Sequence, residues 1–337
     1  MINKRINRYC KTVLCIVILL GFSPFGKAQE KESMGKWIII STVNEAISRH
    51  EDSFVAVGAT FYLLGGRGIK PISIYDSKSN MWSEGAAPPL EIHHFQGVSY
   101  KGKIYVIGAM TGKYPYEKPL KNILVYDPKS NKWEEGTEIP EARRRGSSGV
   151  VVEGNSAFIV SGIVDGHNST HVTWVDQYDF KTNTWKILAD APRARDHFHA
   201  ASKNGKIYAA GGRNSSFATK QTFDLTISEV DVYDIKTNKW STLAPKNNIP
   251  TMRAGASAVF LGDDLIIIGG ESVTQNEAHN NVDGYNIKSQ SWRKLAPLNV
   301  GRHGSQAVVY NNKIIIVAGS GKRGGKPELN SMEEFEF

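Results

Sequence analysis

One frame occurs six times along this 337-residue chain. Each copy runs from an apolar segment to a Gly-Gly pair or a near variant. It continues through a loop to a Tyr-Asp pair, a Lys-Ser/Thr-Asn turn and a Trp. The Gly positions are Gly65-Gly66, Gly108-Ala109, Ser161-Gly162, Gly211-Gly212, Gly269-Gly270 and Ala318-Gly319. The Tyr-Asp positions are Tyr75-Asp76, Tyr126-Asp127, Tyr178-Asp179 and Tyr233-Asp234, with Tyr285-Asn286 and Phe335-Glu336 as variants. Trp82, Trp133, Trp185, Trp240 and Trp292 each follow the aromatic by seven residues and stand 51 to 55 apart. A fixed period of this length marks a ring or stack of four-stranded units. Helix signals are scarce, so the expected class is all-β.

The repeated residues have structural readings. Glycines that end a buried strand permit close packing, the aromatic and Trp fill the space between units, and Asp-x-Lys-Ser/Thr-Asn makes a polar hairpin turn. The run Gly319 to Gly325 is no P-loop, because it lacks Gly-Lys-Ser/Thr and precedes no helix. The combined motif resembles the kelch family of β-propellers over nearly all of the chain after residue 28. The resemblance implies one six-bladed propeller spanning 29–337. The sixth copy has no Trp-bearing strand after Phe335. The segment Gly35 to Ile40 carries Trp37, and this N-terminal strand is expected to complete the last blade and close the ring.

The first 28 residues read as a signal peptide. Lys4, Arg5, Arg8 and Lys11 precede an apolar run from Thr12 to Phe25, and Gly26-Lys27-Ala28 offers small residues before a cut at Gln29. The expected location is therefore periplasmic or secreted, with no stable membrane anchor after cleavage. Both cysteines, Cys10 and Cys15, leave with that segment, which excludes disulfides and thiol chemistry from the mature chain. Galactose oxidase chemistry, which needs a Tyr-Cys crosslink at copper, is excluded with them. The net charge of +8 falls to +3 once the five leader cations are removed, which gives no support for a nucleic-acid partner. The expected assembly is a monomer.

In such a blade the four strands run outward from the axis in alternating directions. The fourth-to-first connections and the second-to-third loops therefore emerge at one end. Long loops collect there, including Met110 to Asn122, Ile163 to Trp174, Asn214 to Ser228 and Glu271 to Asn281. Seventeen residues before the second Gly of each pair stand Arg49, Arg145, Arg195, Arg253 and Arg302, with Ile92 in the second copy. So regular an Arg reads as structural. The four positions after it vary, and they hold His50, His93, His94, His197, His199 and His303. His167 and His279 lie in loops at the same end. Arg67, Arg213 and Glu271 follow the Gly pairs, where the resemblance implies a ligand face.

A mouth of ligand-binding residues is expected from His50, Arg67, His94, Gln96, His167, Asp196, His199, Arg213, His279, His303, Gln306 and Arg323. His93, His197 and Glu271 are the catalytic candidates. Arginine forks suit carboxylates, and histidine transfers protons near neutral pH. The expected function is binding of a carbohydrate, an acidic one, with mutarotase or epimerase action on it. The size and export expected here are similar to those of the sialic-acid mutarotases. One alternative is a polysaccharide lyase on uronate polymers, using Arg195, Arg213, His197 and Tyr114 or Tyr116. Another is a non-catalytic protein-interaction module, with Arg143-Arg144-Arg145 as an anionic docking patch. No cofactor is required, but a divalent metal bound by His93, His94, His197, His199, His279 or His303 stays open.

Overall fold

The computed structural model describes residues 34–337. The signal-peptide reading of 1–28, with its two cysteines, lies outside the described residues. Within 34–337 the chain forms six four-stranded antiparallel sheets arranged as the blades of a propeller. Blade 1 comprises Asp52–Val57, Thr60–Gly65, Ser73–Asp76 and Met81–Glu84. The same order recurs through blade 5, which ends in Ser291–Lys294. Blade 6 has Ala307–Tyr310, Lys313–Val317 and Met332–Glu336, and its outermost strand is the N-terminal Lys36–Ile40. Two small ribbons, Met110–Thr111 with Lys118–Pro119 and Ile163–Asp165 with Ser169–His171, rise from blades 2 and 3. Among the described residues only two short 3-10 turns interrupt the strands, and none of the described helices is long and apolar enough to cross a membrane.

The seven-residue spacing of aromatic and Trp has a direct cause. A hairpin across the Lys-Ser/Thr-Asn turn places the two residues opposite each other, as in Tyr75 with Trp82 and Tyr233 with Trp240. Trp37 pairs with Phe335 in the same register, so the N-terminal strand fills the sixth position as expected. The six ring pairs have centroids 4.9 to 5.3 Å apart. Trp133, Trp185, Trp240 and Trp292 donate their indole N–H to a carbonyl of the preceding blade. Trp37 does likewise, to Ala296 O at 2.9 Å.

The turn Asn does more than make a turn. Asn131 and Asn238 adopt φ of +52° and +53°, and each Oδ1 accepts from the blade's own Tyr hydroxyl. The same oxygens accept the backbone N–H of Ala86 and Ala189 in the preceding blade. The hydrophobic core is accordingly divided into six clusters, each shared between two neighbouring blades.

The repeated Arg is structural. Arg49, Arg145, Arg195, Arg253 and Arg302 are at most 3% exposed. Each donates to the carbonyl of the first residue of the Gly pair, as Arg253 does to Gly269 O at 2.6 Å. Four of them also meet an acid on the third strand of their blade: Asp176, Asp231, Asp283 and Glu333. In blade 2 the two positions are Ile92 and Leu124, and both join the apolar core. One repeat has thus exchanged a buried ion pair for a hydrophobic pair.

Candidate functional site

Two residues after each repeated Arg, or Ile92, the chain reaches the propeller axis. The six residues there are Glu51, His94, Ser147, His197, Gly255 and Gly304, and all six have φ between +49° and +63°. Backbone hydrogen bonds link neighbours around the axis: His94 N to Glu51 O, Ser147 N to His94 O, Gly255 N to His197 O and Gly304 N to Gly255 O. The left-handed conformation is forced by this ring. At Gly304 a Cβ would also stand 2.8 Å from Glu51 Oε1. The ring therefore presents one residue per blade to the axis, and Glu51, His94 and His197 are the large ones.

Above the ring lies a cavity of about 500 Å³ at the end that carries the long loops. His50, Glu51, Arg67, His94, His167, His197, Arg213, Glu271 and His303 line it, with Tyr114 and Phe223. The expected mouth thus exists as a cavity, and eight of its proposed residues share it. At ring level a small void of about 20 Å³ is lined by Glu51, Asp52, His94, His197 and His199.

Other expected site residues lie elsewhere. Gln96 and Gln306 line a separate cavity of about 460 Å³ among the inner strands, with Val55, Val98, Val150 and Ala200. Their amides tie inner strands together: Gln96 Oε1 accepts from Val150 N and Ala200 N, and Gln306 Nε2 donates to Gly97 O. His279 is buried outside the cavity against Ser272 and Asn281. Arg323 lies over the Phe223 ring and donates to Val273 O. His93 sits behind His94, in contact with His94 Nδ1 at 2.6 Å and Arg67 Nη1 at 3.2 Å. Burial first, then the Arg67 charge, pushes the His93 imidazole down to about 3, so it is neutral at physiological pH. The run Arg143-Arg144-Arg145 is no free patch, because Arg143 and Arg145 share Asp176 and Arg144 meets Glu138.

Acids organise the cavity wall. Glu117, buried on the loop of blade 2, lies 2.5 Å from Arg67 Nη2 and 2.9 Å from His167 Nδ1. Asp196 accepts from His197 Nδ1 at 2.7 Å. Glu271 Oε1 lies 2.7 Å from Arg213 Nη1, and its Oε2 accepts from Gly324 N at 2.8 Å. Glu51 has His94 Nε2 at 3.3 Å and His303 Nδ1 at 3.7 Å. Burial raises the Glu51 carboxyl, but His197, His303 and the other nearby imidazoles outweigh it and hold the group at about 2. Glu117, Asp196 and Glu271 are likewise held below the usual carboxylate range, because their cationic and imidazole neighbours overcome desolvation. These four carboxylates face two guanidiniums, Arg67 and Arg213.

The proposed acid and base each have a partner in the cavity wall. Both Glu271 oxygens are occupied, and His197 is held by Asp196. Arg213, by contrast, is underused: among the described residues its buried Nε has no hydrogen-bond partner. Sequence reading missed Glu51 and Glu117. Glu51 was marked by its place two residues after Arg49, in step with His94 and His197. Glu117 lies in a loop with no repeat frame, and nothing in the sequence singled it out.

Comparison with known proteins agrees with this architecture. The family model for the KLHDC2/KLHL20/DRC7 Kelch-repeats domain matches residues 136–319, and a Kelch motif model matches 93–140. Kelch-like protein terF of Aspergillus terreus is 26% identical over 310 residues, covering 85% of this chain and 64% of that protein. Kelch-like protein 40 of Xenopus laevis is 28% identical over 222 residues, covering 62% of this chain and 33% of that protein. The chain therefore spans less than two thirds of the length of these curated relatives. A solved structure titled "Structure of YjhT" superposes with a TM-score of 0.73 at 18% identity, covering 86% of this chain and 96% of that one. The matched repeats span more than half of the sequence, the described chain folds into six blades closed by the Trp37 strand, and the protein belongs to the kelch-repeat β-propeller family.

Proposed function

We propose that the axial cavity binds a small ligand rich in hydroxyls and bearing a carboxylate, an acidic sugar being the class that fits. The observation that carries this reading is Arg213. Its guanidinium is buried in the cavity wall, uses Nη1 on Glu271 and leaves Nε unpartnered. A carboxylate in the cavity would meet a guanidinium with donor capacity to spare, the group with which arginine recognises carboxylates. Phe223 and Tyr114 add ring faces against which a pyranose can pack, and the imidazoles supply hydrogen bonds to hydroxyls. With the export expected from the N-terminal segment, the ligand is one met outside the cytoplasm.

The test is proton NMR of glucuronate, galacturonate and N-acetylneuraminate with the purified protein. Line broadening is expected for acidic sugars and not for glucose. Arg213→Lys is expected to weaken binding roughly 10- to 100-fold, the value of a charge-assisted hydrogen bond. Anomer exchange or new vinylic signals would identify a reaction as mutarotation or elimination. No broadening with any acidic sugar would sink the reading.

A second reading has its own observation. Tyr114, Tyr116 and Phe217 form an exposed aromatic cluster beside the mouth, with centroids 5.9 and 6.3 Å apart. Exposed aromatics of this kind anchor protein partners. That use suits a kelch-like interaction module, and an unchanged partner pull-down after Tyr116→Ala and Phe217→Ala together would exclude it.

A further inference from the structure

Three imidazoles from three blades meet in the wall of the cavity. His94 and His197 come from the axial ring, and His167 comes from the ribbon of blade 3. One ring nitrogen of each lies within 4.8 Å of those of the other two. The ring centroids are 4.6 to 4.9 Å apart.

The outer nitrogens of this cluster are already engaged. His167 Nδ1 faces Glu117 Oε1 at 2.9 Å, and His197 Nδ1 faces Asp196 Oδ2 at 2.7 Å. A carboxylate only accepts, so each Nδ1 carries the hydrogen and each neutral ring keeps its lone pair on Nε2. Those two Nε2 atoms face each other at 3.1 Å. Two lone pairs at that distance repel unless an electron-poor partner joins them. His94 has Nδ1 against His93 and Nε2 3.3 Å from Glu51 Oε2, so its Nε2 carries a hydrogen toward Glu51 that a metal would displace. Two occupants suit this arrangement, a shared proton or a metal cation.

Two features favour the metal. Imidazoles on a tetrahedral zinc ion, with Zn–N of about 2.0–2.1 Å, place their nitrogens about 3.4 Å apart, close to the 3.1 Å between His167 Nε2 and His197 Nε2. Carboxylates on the distal nitrogens of His167 and His197 are the usual outer support of metal-bound histidine. We propose that His94, His167 and His197 form a three-histidine centre for a divalent transition metal of the zinc, cobalt or copper type, open on its fourth side to the axial cavity. All three residues line that cavity, so an oxygen of the ligand can complete the coordination. This last point rests on the ligand reading above; the centre itself does not. A metal in such an open site polarises a carbonyl or acidifies a bound water, as three-histidine zinc does.

The experiment is a Co²⁺ titration of chelator-treated, dialysed protein, followed by visible absorption and elemental analysis. One cobalt per chain is expected, with the absorption bands of four-coordinate cobalt and displacement by one equivalent of Zn²⁺. His167→Ala, on a ribbon rather than a blade strand, is expected to weaken binding at least about 100-fold with an unchanged circular dichroism spectrum. Glu117→Gln is expected to weaken it roughly 10- to 100-fold through the lost outer contact. His279→Gln, outside the cavity, is expected to bind like the wild type. Absence of a stoichiometric site overturns the proposal, and so does a site that survives His167→Ala. Histidine ¹⁵N NMR spectra that show a shared proton, unaltered by Co²⁺, overturn it equally. Metal binding without sugar binding would remove the ligand reading and leave the centre standing.

Discussion

At the scale of single residues, three of the hairpin turns place an Asp carboxylate, Asp127, Asp179 or Asp234, under backbone N–H groups. Asp179 Oδ1 accepts from Lys181 N and Thr182 N, and Asp234 Oδ1 accepts from Thr237 N. These backbone hydrogen bonds, and the one from Lys129 to Asp127, hold the carboxyls below the usual range. A carboxyl whose folded value is depressed stabilises the fold above its unfolded value, near 3.9, and loses that effect as pH falls through the folded value. Blade 5 shows what removal of the charge does to the geometry: Asn286 Oδ1 accepts from Lys288 N and Ser289 N in the same turn. The triple substitution Asp127→Asn, Asp179→Asn, Asp234→Asn is therefore expected to keep the fold. Its urea midpoint should fall less steeply than the wild type's between about pH 5 and 3. Equal slopes would show that the turn carboxylates do not contribute to acid sensitivity.

At the scale of the blade, the repeated Arg and its third-strand acid act as a unit. Removing one partner strands a buried charge, which costs about 3–5 kcal/mol, whereas replacing both by apolar residues is often neutral. Blade 2 has made that replacement with Ile92 and Leu124. Asp283→Ala is accordingly expected to lower stability by about 3–5 kcal/mol, because Arg253 is fully buried beside it. The double substitution Arg253→Ile, Asp283→Leu should recover most of the loss in urea unfolding. A double variant as unstable as the single one would mean that the carbonyl contacts of Arg253, not its charge pairing, hold the blade. The blade was legible in the sequence because its residues recur at fixed spacing. Tyr opposite Trp, and Arg ahead of the Gly pair, follow from strand geometry alone. The inter-blade role of the turn Asn was not legible, since a polar turn explains the same residue without a neighbour.

At the scale of the whole molecule, the ring depends on a strand contributed from the other end of the chain. Trp37 packs on Phe335 and donates to Ala296 O, so it joins blade 6 and touches blade 5 at once. Trp37→Ala is expected to cost about 3–5 kcal/mol, read as a lower urea midpoint. An unchanged midpoint would show that the ring holds without this anchor. Closure could be foreseen because one Trp position was empty and Trp37 stood on an apolar segment ahead of the first repeat. The cavity was foreseen from the loop lengths and from histidines at unequal offsets. Its membership was only partly foreseen. Gln96 and Gln306 follow the axial ring by two residues, and one step of strand pitch carries them among the inner strands. Glu117 enters from a loop whose path no periodicity describes. The axial ring has a consequence of its own. Hydrogen bonds between neighbours hold its backbone, while its large side chains, Glu51, His94 and His197, face the cavity. It reads as a six-letter word, Glu-His-Ser-His-Gly-Gly, whose left-handed backbone limits the spelling. Where glycine stands, as at Gly304, the neighbouring letter Glu51 already fills the space a side chain would need.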